Sequence, residues 1–449
     1  MPTHSAKDKG AAGMPRAGTR SGGRMPDGRI YDTAVIGGGA SGMAAAITAA
    51  RSGARTVLLE AQPRVGRKLL ATGSGRCNIS NRDINTGHYR TDCTERLAKI
   101  LDSFGGGRIE DFFLDIGVPF TSDREGRLYP RGDAAAGVLD MLRFELERTG
   151  VEVLTDSRVG AAARSGDLWR IEIKDGGVYR ARAVIIACGS PADPGLGGCS
   201  DGDCIAESIG VPIIKRRPSL CPLACPSPVL RSLKGIRIKC RAGLNIRGKI
   251  IHSEEGELQA GDGVLSGICI FQLSSRLNEE DIGCASVDVD LLPDMPPEDV
   301  LSMLRARRAR LGELTLENAL TGLLNKRVAQ AVLRAAGIAP LSRGTDSLTD
   351  GELRAIADNI KRMSFEVTGF AGWKQSQSSL GGIPLARMDD GLAVTGKQGL
   401  YACGEAINCG GDCGGYNLHW AWCSGITAGE SAARYCASAD NRKNADKKC

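Results

Sequence analysis

Three glycines and one acid carry the first chemistry legible in this chain. Within YDTAVIGGGASGMAAAITAARSGARTVLLE (31–60), Gly37, Gly39 and Gly42 form G-x-G-x-x-G, and Glu60 closes the segment. Gly37 allows a tight turn, Gly39 lets the backbone approach a pyrophosphate, and Gly42 lets a helix pack closely on a strand. Ala40 and Ser41 lie among these glycines just ahead of that helix, whose N-terminus offers free N–H groups and a positive dipole end to phosphates. Glu60 lies about 20 residues beyond the glycines, where a carboxylate accepts ribose hydroxyls. It also argues against a 2′-phosphate in that subsite, because like charges repel. The chemistry is the binding of a dinucleotide.

Two further stretches suit the same ligand. RVGRKLLATGSGRCNISN (64–81) is glycine-rich, and its charges, Arg64, Arg67, Lys68 and Arg76, are all basic. Such a loop wraps a pyrophosphate. In GLYACGEAINCGGDCGGYNLHWAWCSGITAG (399–429), Gly404 and Glu405 follow a short strand, and Gly414-Gly415-Tyr416-Asn417-Leu418 opens a helix of small residues running to about 434. Two glycine-led helix N-termini, one near each end of the chain, suit a cofactor that spans the fold. Trp420 and Trp422 read as core packing for the second helix.

The elements that must hold these residues follow from periodicity. A strand at 31–36, a helix at 43–51 capped by Gly53, and a strand at 56–59 make a βαβ unit. Helices are expected over 94–117 and 134–149, with a hairpin over 118–131 turning at Arg124-Glu125-Gly126-Arg127. Short strands follow at 151–154 and 169–173. An apolar strand at 183–187 ends on Cys188-Gly189-Ser190, placing Gly189 at the cofactor. Alternating segments such as 236–246 and 249–252 indicate an antiparallel β-rich insert. Leu301, Leu304, Leu311, Leu314, Leu320 and Leu323 predict a helical stretch over 299–360. The expected organisation is a basic disordered tail (1–29), a first part of an FAD-binding domain (30–212), the β-rich insert (213–290), a helical subdomain (291–364), the second part of the FAD-binding domain (365–437) and a basic tail (438–449). The fold class is α/β, a Rossmann-like domain split in sequence.

The chain has 449 residues and a formal net charge of +6. The excess sits in the two tails: six Lys/Arg against Asp8 and Asp27 in 1–30, and four against Asp440 and Asp446 in 440–449. A body without net charge argues against a nucleic-acid partner. No apolar run approaches the ~20 residues that cross a bilayer, and no signal peptide is evident, so membranes are excluded and a cytoplasmic location is expected. The 16 cysteines include no C-x-x-C pair. Cys221 and Cys225, and Cys409 and Cys413, are C-x-x-x-C without a zinc ligand set, so no metal is expected. Free thiols in an anaerobe-like setting fit best; a redox role at Cys409 and Cys413 is the sharper alternative.

GGGASGMAAAITAA, GRKLLATGSGRCNISN and GEAINCGGDCGGYNLHWAWCSG resemble a family of flavoproteins with two dinucleotide-binding folds. That family includes reductases of bile-acid 7-dehydroxylation and aminoacetone oxidases. The resemblance runs from about residue 31 to 434 and implies FAD contacts at Gly37, Gly39, Ser41, Gly42, Glu60, Arg67, Lys68, Gly75, Arg76, Cys77, Gly404, Glu405, Tyr416, Asn417 and Leu418, to which the residue reading adds Ala40, Gly189 and Gly415. The run Ser376-Gln377-Ser378-Ser379-Leu380-Gly381-Gly382 stands where the family more often has a V-T-A-G-G-V type run, and His419 where a glutamine is expected.

The leading expectation is an FAD-dependent reductase of an activated C=C in a steroid-like acid. NAD(P)H would dock transiently, since no second G-x-G-x-x-G follows a strand. Tyr416 and His419 are the candidate acids, with Tyr129 and Arg131 as carboxylate or oxyanion partners. The alternatives are an amine oxidase that uses O₂ and a tRNA- or RNA-acting flavoprotein. Nothing in the sequence sets the oligomeric state.

Overall fold

The computed structural model describes residues 20–21 and 29–446. Ile30–Ile36 and Thr56–Leu59 are rich in aliphatic and β-branched residues and almost wholly buried. Such runs suit parallel strands covered on both faces, and they pair in parallel from Thr33↔Thr56 to Ile36↔Leu59. Glu152–Thr155 extends the sheet beyond Thr56–Leu59, and Val178–Ile186 lies on the other side of Ile30–Ile36. That long strand has two uses. Its carboxyl end pairs in parallel with Leu400–Ala402, and its start pairs antiparallel with Leu168–Ile173, which continues to Val159–Ser165. Arg20–Ser21 adds a short parallel pairing at the far edge; the rest of the basic tail expected over 1–29 lies outside the described residues, save position 29.

The helix Ala40–Arg51 lies against this sheet. The C-terminal helix Tyr416–Asp446 crosses it closely. A Cβ on Gly425 would come 2.4 Å from the Ser41 carbonyl oxygen, and one on Gly429 2.5 Å from that of Ala45. The helix runs past 434, into the expected basic tail, because no glycine or proline interrupts 430–446.

The chain leaves this body after Asp201–Ser208 and builds a seven-stranded antiparallel sheet. Its centre is the hairpin Arg237–Ile246 with Lys249–Ala260. The expected helical stretch is three helices, Pro297–Arg310, Lys326–Ala335 and Asp350–Lys361. Glycines at 312, 322 and 337 and Pro340 break the run; Gly322 and Gly337 take φ of +83° and +75°. Side chains from Leu223 to Val367 bury one core shared by the β-strands and these helices. The expected helix over 94–117 likewise breaks at Gly105–Gly107, giving Thr94–Asp102 and Arg108–Asp115. The hairpin over 118–131 forms from Phe120–Ser122 and Arg127–Pro130. Ile214–Ser219 and Ser378–Gly382 pair antiparallel where the chain leaves and re-enters the first body.

Candidate functional site

A cleft opens at the carboxyl ends of Ile30–Ile36 and Val178–Ile186, where open α/β sheets bind ligands. Gly37, Gly39, Ala40, Ser41, Glu60, Arg67, Lys68, Gly189, Glu405, Asn417 and Leu418 line it. Gly37 has φ +109°, and a Cβ there would lie 2.4 Å from the Ala187 carbonyl oxygen, so both conformation and space demand glycine. Gly39 is extended at the helix N-cap, with nothing within 4 Å of a Cβ. The first helical N–H groups have no intrahelical partner and are free for an anion.

Glu60 Oε2 accepts from the Gly38 N–H at 2.7 Å, and Oε1 from the Gln62 N–H at 2.7 Å. Each oxygen keeps a lone pair for a diol. Burial pushes the Glu60 carboxyl up, and these N–H donors oppose the shift. Lys68 Nζ donates to Glu405 Oε2 at 2.8 Å, and Arg67 Nη1 to Gln62 Oε1 at 2.6 Å.

Other expected contacts do not line the cleft. Three are glycines of close approach: a Cβ on Gly42 would lie 1.9 Å from the Gly37 carbonyl oxygen, on Gly404 2.3 Å from Ser41 Oγ, and on Gly415 2.5 Å from the Ser80 carbonyl oxygen. They shape the loops that do line it. Gly75 and Arg76 are exposed; Arg76 pairs with Asp133 at 2.5 Å and lies 4.1 Å over the Tyr129 ring. Cys77 is fully buried, and burial pushes its thiol up to about 12.

The candidate acids are not brought to the cleft either. Tyr416 is buried, stacks on His88 at 4.2 Å, and burial pushes its phenol up to about 12. His419 is buried against Ser80, with Nδ1 2.8 Å from Ser80 Oγ; burial pulls it down to about 4, so the ring is neutral near pH 7. Arg131 is exposed in the turn after Arg127–Pro130, and Tyr129 is buried beneath Arg76. In the 376–382 run, Gln377 lines the cleft and the following strand is buried. Trp420 and Trp422 are core residues, their indole N–H groups donating to the carbonyls of Gly404 and Ile79.

A cluster absent from the sequence reading lies beside the cleft. Asp412, 4% exposed, meets Arg90 Nη2 at 2.9 Å, His88 Nδ1 at 3.3 Å and Arg276 Nη2 at 3.7 Å. Asn417 ties it to the cleft: its Nδ2 donates to the carbonyls of Gly411 (2.8 Å) and Asp412 (3.3 Å). Among the described residues, no disulfide joins the cysteines and no cluster suits a metal ion. Burial pushes the thiol of Cys413 up to about 12 and that of Cys409 well above its usual range, so both are neutral thiols. No described helix is long and apolar enough to cross a membrane.

The family model "HI0933-like protein Rossmann domain" matches residues 31–431. The chain belongs to this family. It is 33% identical over 407 residues to a 3-dehydro-bile acid Δ(4,6)-reductase of Clostridium scindens, covering 89% of this chain and 98% of that protein. It is 27% identical over 402 residues to a ribosomal RNA dihydrouridine synthase of Escherichia coli, covering 88% and 96%. Among solved structures, a 3-ketosteroid Δ1-dehydrogenase of Sterolibacterium denitrificans aligns over 90% of this chain and 99% of that one, with 13% identity and a TM-score of 0.49.

Proposed function

We propose that this chain, an FAD-dependent oxidoreductase, reduces a C=C bond conjugated to a carbonyl in a bile-acid-like enone, with NAD(P)H as electron donor. The observation that carries the reading is the 33% identity, over nearly its whole length, to a bile-acid Δ(4,6)-reductase. The cleft's donor set suits FAD. Free N–H groups at Ala40 and Ser41, with Arg67 and Lys68, would meet a pyrophosphate; Glu60 would meet a ribose diol; Asn417 and Leu418, at the second helix N-terminus, would meet the ring. Bound FAD supplies hydride chemistry. The protein's part would be to hold that ring rigidly, for which Asn417 braces Gly411 and Asp412.

A second reading has its own support. The 27% identity covers 96% of a ribosomal RNA dihydrouridine synthase, and the double bond of a uracil is also conjugated to a carbonyl. The charge of the body is balanced only overall, since no Asp or Glu lies between Glu207 and Glu254 while lysines and arginines recur. Several of those cations are matched by carboxylates, such as Arg241 with Glu255 and Arg237 with Glu257. The small-acid reading therefore leads.

Anaerobic stopped-flow absorbance of the yellow protein is the test. Rapid bleaching by NADH or NADPH, reversed by a 3-oxo-4-ene steroid acid and only slowly by air, is expected. Reversal by a uridine-containing ribosomal RNA fragment but not by the steroid would move the assignment to RNA. Bleaching by an amine alone, with fast recovery in O₂, would make it an oxidase.

A further inference from the structure

We propose that Arg90 and Arg276 form an oxyanion subsite at the seam between the FAD-binding body and the β-rich body, taking the carboxylate of the substrate acid. The inference rests on the small-acid reading above. Arg90 comes from Tyr89–Thr91 in the first body, and Arg276 ends the helix Ile268–Arg276 in the second. Arg217, on Ile214–Ser219, stands close enough to Arg90 for mutual repulsion.

The local charge is out of balance. Among the described residues, Asp412 is the one carboxylate in ion-pair reach of Arg90 or Arg276, and His88 draws on it too. Arg217 hydrogen-bonds to neutral groups, the carbonyls of Ser274 and Ser275 and Asn278 Oδ1, with Glu279 as a more distant counter-charge. Glu254 and Glu279 act on Arg90 and Arg217 only from beyond ion-pair distance, so at contact distance the three guanidiniums have one buried carboxylate among them, and a further anion could pair with them directly. Burial, and less so the Arg276 charge, pull Arg90 below the usual arginine range against Asp412 and Glu254, and burial does the same to Arg217. Hydrogen bonding is short as well: the Nε groups of Arg90 and Arg276 are buried without partners. Both side chains still keep about a fifth of their surface open, 21% and 22%. A planar carboxylate matches a guanidinium fork better than a single point charge does.

The subsite also lies in the right place. Asn417 both lines the cleft and braces the Asp412 loop. A substrate anchored there by its acid end reaches toward the ring end of the cleft with its other end. The seam thus selects acids over neutral steroids.

The test titrates oxidised holoenzyme with a 3-oxo-4-ene steroid carboxylic acid and with its methyl ester, reading the shift of the flavin absorption band, and then measures KM and kcat for both. Wild type is expected to bind the acid about tenfold tighter than the ester. Arg276→Gln should abolish that preference by weakening the acid about tenfold, with ester binding and kcat changed less than about twofold. Arg276→Lys should keep part of the preference. Arg231→Gln, an exposed charge removed elsewhere, should keep all of it. Equal binding of acid and ester by wild type, or equal loss of both in Arg276→Gln, overturns the subsite and leaves the enone reading standing. A flavin that responds to neither steroid overturns both together.

Discussion

His419 sits 5% exposed, with Nδ1 on Ser80 Oγ and Nε2 without a partner. Burial alone pulls it down to about 4, against a usual 6.5. The unfolded chain therefore takes up a proton there between about pH 6.5 and 4 that the folded chain refuses. Stability contributed by the neutral ring is fully present above 6.5 and falls as the pH drops toward 4, by about 3 kcal/mol in all. His419→Gln, which cannot titrate, should lack this acid loss. Urea unfolding of both proteins at pH 7 and pH 4.5 checks it; parallel losses would refute it. The residue type promised an acid, but its neighbours make it a neutral packing group. Cys409 and Cys413 follow the same rule: a thiol next to a cofactor loop looks reactive in a sequence, and burial keeps it protonated.

The helix Ala40–Arg51 and the C-terminal helix meet through bare backbone at Gly425 and Gly429. Gly429→Val should cost about 1–3 kcal/mol by overpacking and should weaken FAD binding, because the crossing holds both glycine-led helix N-termini. Gly351 is a counter-case: it is exposed in Asp350–Lys361, with nothing nearer a Cβ than Thr349 Oγ1 at 3.9 Å. Gly351→Ala should stabilise by about 0.5–1 kcal/mol. Thermal melts of the two variants, with opposite signs expected, test the distinction. At this scale the sequence was most readable where one local segment holds the whole argument. The βαβ unit, the 118–131 hairpin and the glycines before Tyr416 each state their geometry within about 30 residues. The helical stretch over 299–360 was less readable, because periodic leucines continue through turns that Gly312, Gly322 and Pro340 create. The seam was illegible: Arg90, Arg217, Arg276 and Asp412 belong to four separated segments, and only the folded chain puts them together.

Among the described residues the hydrophobic side chains form two cores. The cleft is walled by residues of the first body, with strands from both ends of the chain meeting at Val178–Ile186. The second body touches the site through the seam, not through the cleft wall. FAD binds the folded state of the first body, so its stabilisation should be local: about 2.7 kcal/mol at a hundredfold excess over Kd, entered wholly in that body's opening equilibrium. Hydrogen–deuterium exchange of apo- and holoprotein should then show strong new protection over 30–60, 178–190 and 400–430. The hairpin of Arg237–Ile246 with Lys249–Ala260 and the three helices over 297–361 should change little. A steroid acid added to the holoprotein should extend protection to 268–276, because Arg276 sits at the end of that helix and its partner anion lies across the seam. Equal protection of both bodies by FAD alone would mean the two cores open as one unit, and the seam would then be a fixed contact that cannot report on the substrate.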